Sequence, residues 1–144
     1  FEHDFIGRAA LEAGKKNQRR RKMTLIWNTD DVFRTIRDSL RNDGPRSKFI
    51  ALPVPMYSSF QADQVLVGGR PAGVSNWMSF SANAGAILST ALMDLEHAEV
   101  GKEVTLLWGG PDSRRRTVEA HELTEIRATV APVPYYDKTI KHDA

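Results

Sequence analysis

Gln64-Val65-Leu66-Val67-Gly68-Gly69-Arg70-Pro71-Ala72-Gly73-Val74-Ser75 is the stretch that decides the fold. Apolar, β-favouring residues flank a Gly-Gly pair. Glycine tolerates the positive φ that a tight hairpin turn needs, at no steric cost. Gln64 to Val67 therefore reads as one strand, Gly68-Gly69-Arg70-Pro71 as the turn, and Ala72 to Phe80 as the returning strand. A phosphate-binding loop is the competing reading of the glycines. It fails because no Lys-Ser/Thr pair and no helix follow them.

Downstream the same grammar repeats. Ile87 to Met93 fits a buried strand or a helical turn equally well. Glu103 to Trp108 reads as a strand closed by the turn Gly109-Gly110-Pro111-Asp112, and Thr117 to Glu119 and Glu122 to Val130 as further strands. Upstream, residues 5–14 read as a short helix stopped by Gly14, and Met23 to Trp27 as a strand. Asn28-Thr29-Asp30-Asp31 offers a cap and two acids for a helix start, predicting a helix over roughly 30–42. Val32, Phe33, Ile36 and Leu40 are its expected core stripe. Pro45, Pro53 and Pro55 make residues 45–62 an extended excursion, and Pro132 and Pro134 do the same for the tail. The sum is a mostly β chain with some α: a small antiparallel, Greek-key-like β-barrel with an inserted helix.

A chain of 144 residues that is 41% hydrophobic can close one real core, which excludes disorder as the main state. Cysteine is absent, which excludes disulfides, thiolate metal sites and cysteine nucleophiles and fits a cytoplasmic protein. No apolar run approaches the ~20 residues of a membrane helix. Phe1-Glu2-His3-Asp4 is no signal peptide, and the missing initiator Met points to a fragment. The net charge of +2 is uneven, because residues 15–22 hold six cations: Lys15, Lys16, Arg19, Arg20, Arg21 and Lys22. Such a run attracts polyanions, but a solvated linker between two elements explains it without a basic face elsewhere.

No self-contained active site emerges. His121-Glu122-Leu123-Thr124-Glu125 half-matches H-E-x-x-H, but its second ligand is Glu125 and the segment reads as a strand, where the two side chains stand too far apart. His3, His97 and His142 lack ligand spacing and read as surface residues. Ser75, Ser79, Ser81 and Ser89 lack a nucleophile elbow. Tyr57, Phe60, Trp77 and Phe80 could line a pocket for a flat ligand, but aromatics at strand spacing read more readily as core. Tyr135-Tyr136 follows two prolines in a tail, where the rings either plug the barrel or meet a ligand.

Several segments, in order, resemble the glycine-cleavage T-protein (aminomethyltransferase) family. Asp4-Phe5-Ile6-Gly7-Arg8-Ala9-Ala10-Leu11 looks like the segment closing that family's folate-binding domain, and Arg20-Arg21-Lys22-Met23-Thr24-Leu25 like the strand opening its C-terminal barrel. Val67 to Ser75, Leu88 to Gly101 and Ala131 to Lys138 match its hairpin, its strand with acidic turn, and its terminal tail. Trp27-Asn28, Val104-Thr105-Leu106-Leu107-Trp108-Gly109 and Glu125-Ile126-Arg127-Ala128-Thr129-Val130-Ala131-Pro132 look most like the tetrahydrofolate-dependent aromatic O-demethylases acting on vanillate or syringate. Thr24 stands where the T-protein proper has Gly.

The resemblance implies the tail of a preceding folate-binding domain over residues 1–18 and the C-terminal β-barrel over 19–144. It implies a tetrahydrofolate-dependent one-carbon transferase moving a methyl group from an aryl ether oxygen, with its catalytic residues upstream and no catalysis by this chain alone. Folate and a small methyl donor would bind through the upstream domains. Tyr135 matches a family tail tyrosine that approaches the ligand, with Tyr136 beside it. No metal, nucleic acid or membrane enters this expectation, whereas an apolar face left bare would let the isolated chain self-associate. The alternatives are a glycine-cleavage-type aminomethyltransferase domain and a stand-alone binding module using residues 15–22.

Overall fold

The computed structural model describes residues 3–52, 62–110 and 118–136. Among the described residues, two helices, α1 (Arg8–Lys15) and α2 (Thr29–Ser39), and six strands make up the fold. The strands are β1 (Arg20–Trp27), β2 (Ala62–Val67), β3 (Arg70–Ser81), β4 (Ala86–Asp94), β5 (Glu103–Trp108) and β6 (Thr124–Ala131), with one 3-10 turn at Leu95–His97. They close into an antiparallel barrel in the order β1-β4-β3-β2-β5-β6. β2, β3 and β4 are joined by hairpins, and β5 returns to lie beside β2. This is the Greek key expected from the sequence. The inserted helix is α2, between β1 and β2.

The Gly68-Gly69 turn joins β2 to β3, with φ of 56° and 76°. Ile87 to Met93, ambiguous by itself, is strand: its residues pair with β1 on one side and β3 on the other. The expected strand at Thr117 to Glu119 is not formed by Val118 and Glu119, and Thr117 lies outside the described residues. Tyr57, Phe60 and His142 also lie outside them.

Alternate residues fill the barrel. Met23, Leu25 and Trp27 of β1 meet Val65, Met93, Leu106, Ile126, Ala128 and Val130 inside it. Trp27 and Trp108 cross edge to face with centroids 5.5 Å apart. Their indole N–H groups are both used: Trp27 Nε1 donates to Ser89 Oγ at 2.9 Å, and Trp108 Nε1 to the Lys48 carbonyl at 2.8 Å. A buried indole N–H without an acceptor would cost about 1–3 kcal/mol.

Gly73 shows how tightly the β3–β4 ladder is drawn. A Cβ there would lie 2.5 Å from the Leu92 carbonyl oxygen and 2.9 Å from Met93 Sδ. The backbone oxygen cannot swing away without opening the ladder. Gly73→Ala is therefore expected to cost about 2 kcal/mol, read as a lowered urea midpoint with an unchanged slope.

Two expectations about apolar residues are overturned. On α2, Val32 is buried and Ile36 partly so, but Phe33 and Leu40 face solvent at 65% and 71% exposure. The helix turns Asp31, Thr35 and Ser39 inward instead, because Asp31 is drawn to Arg127 on β6. On β3, Trp77 and Phe80 are not core: they are 62% and 47% exposed. The register steps from Asn76–Thr90 to Ser79–Leu88, so Trp77 and Met78 share one partner position. Met78 takes the inside and Trp77 is turned out at φ 51°, a conformation that costs a non-glycine residue about 1–2 kcal/mol.

Candidate functional site

The tail leaves the barrel at the β1–β6 seam. Thr24 Oγ1, on the outer face of β1, donates to the Pro132 carbonyl at 2.8 Å, and Thr24 is buried as a result. A glycine at this position has no hydroxyl with which to hold the tail. After the cis Val133-Pro134 bond come Tyr135 and Tyr136, edge to face with centroids 4.9 Å apart. Tyr135 is half-buried and Tyr136 is 43% exposed. The two residues expected to meet a ligand are thus held together, with ring surface and a phenol open to solvent.

His121 is not arranged as a metal ligand. It precedes β6, while Glu125 lies on β6 and is exposed. Its ring nitrogens face carbonyl oxygens, with Nδ1 2.7 Å from Glu119 O and Nε2 3.0 Å from Gly109 O. Among the described residues no group of three His, Asp or Glu side chains is placed to hold a metal. His97 is half-buried rather than on the surface, with Nδ1 3.1 Å from Lys102 Nζ and Nε2 3.4 Å from Glu96. His3 is exposed. Ser75 and Ser89 share a buried hydrogen bond of 2.8 Å inside the barrel, with no imidazole beside them. Ser79 and Ser81 make only local backbone bonds.

Two charged groups that the sequence did not single out dominate the electrostatics. Asp31, in the first turn of α2, has its carboxylate buried. It accepts from the Arg127 backbone N–H at 2.9 Å, from Arg127 Nε and Nη2 at 2.8 and 3.0 Å, and from Arg34 Nη1 at 2.9 Å. The Arg127 guanidinium, next the Arg127 backbone N–H and then the Arg34 charge hold this carboxyl down at about 2 against the opposing effect of burial. Asn28 caps α2 by accepting from the Asp31 N–H at 3.0 Å. That N-cap was legible; the partner 96 residues on was not.

Lys48 is fully buried, with Nζ 4.4 Å from the centroid of the Trp108 ring. Burial pushes its ammonium down to about 8, and the charges of Asp63 and Glu119 work against that shift. The segment around it is strapped to the start of β6. Ser47 bridges to Glu122, Thr124 Oγ1 donates to Ser47 Oγ at 2.8 Å, the Glu122 N–H donates to Arg46 O at 3.0 Å, and the Phe49 N–H donates to Glu119 Oε1 at 2.7 Å. These groups close one end of the barrel over Trp108. They do not form a nucleophile–base pair.

No helix among the described residues is long and apolar enough to cross a membrane. No protein-family model matches the chain. Over 137 residues, 94% of its length, the chain is 44% identical to a protein named syringate O-demethylase from Sphingobium sp. (strain NBRC 103272 / SYK-6), matching 29% of that protein. It is 32% identical over 146 residues, 95% of its length, to one named sesamin methylene transferase from Sinomonas sp. (strain No.22), matching 30% of that protein. The chain therefore spans less than a third of the length of the curated relatives it matches. The resemblance to the aromatic O-demethylase branch, read from the ordered segments, is borne out.

Proposed function

We propose that this chain, a member of the O-demethylase-type aminomethyltransferase family, serves as the β-barrel domain of a one-carbon transferase acting on an aryl ether. The observation that carries this reading is the 44% identity over 94% of the chain to a syringate O-demethylase. The second relative is named for methylene rather than methyl transfer, so the element the two names share is the transfer or removal of a one-carbon unit. The internal packing supports a domain that works with others. α1 buries none of its residues, and Ile6 and Leu11 stand at 104% and 55% exposure. Residues 1–18 then belong to a neighbouring folate-binding unit, and 19–144 form the barrel.

The one-carbon acceptor in this reading is tetrahydrofolate, whose nitrogen takes the transferred group. Tyr135 and Tyr136 fit such a ligand, because paired rings offer a flat apolar surface and phenols that can donate a hydrogen bond. Their task is to orient the ligand and exclude water, which places donor and acceptor for transfer. The acid–base groups lie on other domains.

The test uses a full-length protein containing this barrel, assayed for loss of the methyl group from syringate with tetrahydrofolate present. The 144-residue chain alone is expected to give no turnover, and turnover by it would overturn the reading. In the full-length form, Tyr135→Ala is expected to raise the folate KM by about tenfold, the loss of roughly one ring contact and one hydrogen bond. Tyr135→Phe should raise it by about threefold. Wild-type KM in both variants would remove the tail from the site.

A further inference from the structure

The outer wall of the barrel differs from one side to the other. On β1, β4 and β3 the register sets Leu92 between Lys22 and Val74, and Leu88 between Ile26 and Ser79. These positions alternate with the core residues and therefore face outward. The water-facing side of an antiparallel sheet is normally polar. Here Lys22 is the one charged side chain facing outward from these three strands between the Arg20–Asp94 ion pair and the β3–β4 turn. Leu92 stands 42% exposed in the middle of the wall. The other side of the barrel turns Gln64, Glu103, Glu125 and Arg127 outward from β2, β5 and β6, and α2 packs there through Asp31.

Trp77 enlarges the uncharged side. It is the outward residue of the bulge between Asn76 and Ser79, held at φ 51° and 62% exposed. Strain of this kind persists where the surrounding structure fixes it, and it gathers at functional sites. Both ends of the described chain meet the same side. The Leu95 N–H donates to the Arg19 carbonyl at 3.1 Å, so residues 1–18 arrive beside β1 and β4. Thr24 Oγ1 holds the Pro132 carbonyl at 2.8 Å, so the tail with Tyr135 and Tyr136 departs from it.

We propose that the β1-β4-β3 wall is the face on which this barrel docks against the folate-binding unit of the full-length enzyme. The inference rests on reading the chain as one domain of a one-carbon transferase, and it names the face that reading requires. Two observations choose the occupant. The chain matches 29% and 30% of its two relatives, so most of each relative is chain outside the barrel. The segment assigned to the neighbouring unit enters at this wall and not at the charged one. A continuous uncharged surface of this kind gains by being covered. Docking here also brings Tyr135 and Tyr136 to the domain boundary, where a ligand shared by two domains would lie.

The chain has no cysteine, so a single thiol can be placed on either side. Leu92→Cys puts one on the proposed interface, and Gln64→Cys puts one on exposed β2 surface opposite. Alkylation by iodoacetamide, read by mass spectrometry of the peptide carrying the thiol, compares the 144-residue chain with a full-length protein containing it. The Leu92→Cys thiol is expected to react about tenfold more slowly in the full-length protein, where it is reached only through opening of the interface. The Gln64→Cys thiol should react at the same rate in both. Equal rates for the Leu92→Cys thiol in the two forms, or equal slowing of both thiols, would overturn the docking face. Protection already present in the isolated chain and lost on dilution would assign the wall to a second copy and overturn it as well. Turnover of syringate by the unmodified full-length protein is read separately. Its absence would strike the reading of the reaction, whereas the alkylation ratio reports the packing whatever the reaction is.

Discussion

Asp31→Asn lowers the unfolding free energy by about 3 kcal/mol at pH 7, because it strips the charge from a buried carboxylate at the centre of four hydrogen bonds. The substitution is nearly isosteric, so the loss reads the charge and its partners rather than a cavity. The pH dependence isolates it further. The carboxyl is held at about 2, below its ordinary 3.8, first of all by the Arg127 guanidinium. A depressed folded-state value means the stabilisation is fully present above 3.8 and disappears as pH falls through about 2. That interval corresponds to about 2.5 kcal/mol. Urea melts of wild type and Asp31→Asn should differ most at neutral pH and converge toward pH 2. Parallel curves over the whole acid range would show that Asp31 contributes no charge-dependent stability. Arg127→Lys should fall between the two, since an ammonium cannot reproduce the forked contact of the guanidinium.

The same ion pair explains what could and could not be read beforehand. The start of α2 was visible because Asn28 is a cap and the acids follow it, all within one turn. Which face of the helix turns inward was not. Hydrophobic spacing alone favours burial of Phe33 and Leu40, but Arg127 lies on β6, and no local pattern announces that it will draw Asp31 inward. Strands β2 and β3 were legible because the alternation and the Gly68-Gly69 turn sit in one short stretch. β4 was not, because an apolar run becomes a strand only through its neighbours β1 and β3. Trp77 was misread for a related reason: a bulge turns it outward, and the bulge is a property of the β3–β4 register. The tail tyrosines were visible as residues and matched a family tail. A ligand role for them is the proposal made above, and the kinetics of the Tyr135 variants test it.

Lys48→Met should make the protein about 2–3 kcal/mol more stable at pH 7. A fully buried lysine is seldom expected from sequence, and here its proline-flanked neighbourhood read only as an extended excursion. In the fold the side chain is fully buried, Nζ over the Trp108 ring at 4.4 Å. Burial lowers its ammonium from 10.5 to about 8, even after the attraction of Asp63 and Glu119. The folded state therefore holds this proton less tightly than the unfolded chain does. Between about 8 and 10.5 the unfolded chain binds more protons, so stability rises with pH across that window. Below it, the charged amine costs the fold about 3 kcal/mol relative to its neutral form. Methionine matches the length of the stem, keeps the contact with Trp108 and carries no charge. Its advantage should shrink from pH 8 upward and close near pH 10.5, and the wild type's rise in stability should be missing from the variant. Lys48→Ala separates charge from volume, since the cavity over Trp108 offsets the relief. If Lys48→Met is less stable than wild type at pH 7, the contacts of the ammonium outweigh the cost of burying it, and burial does not govern this position.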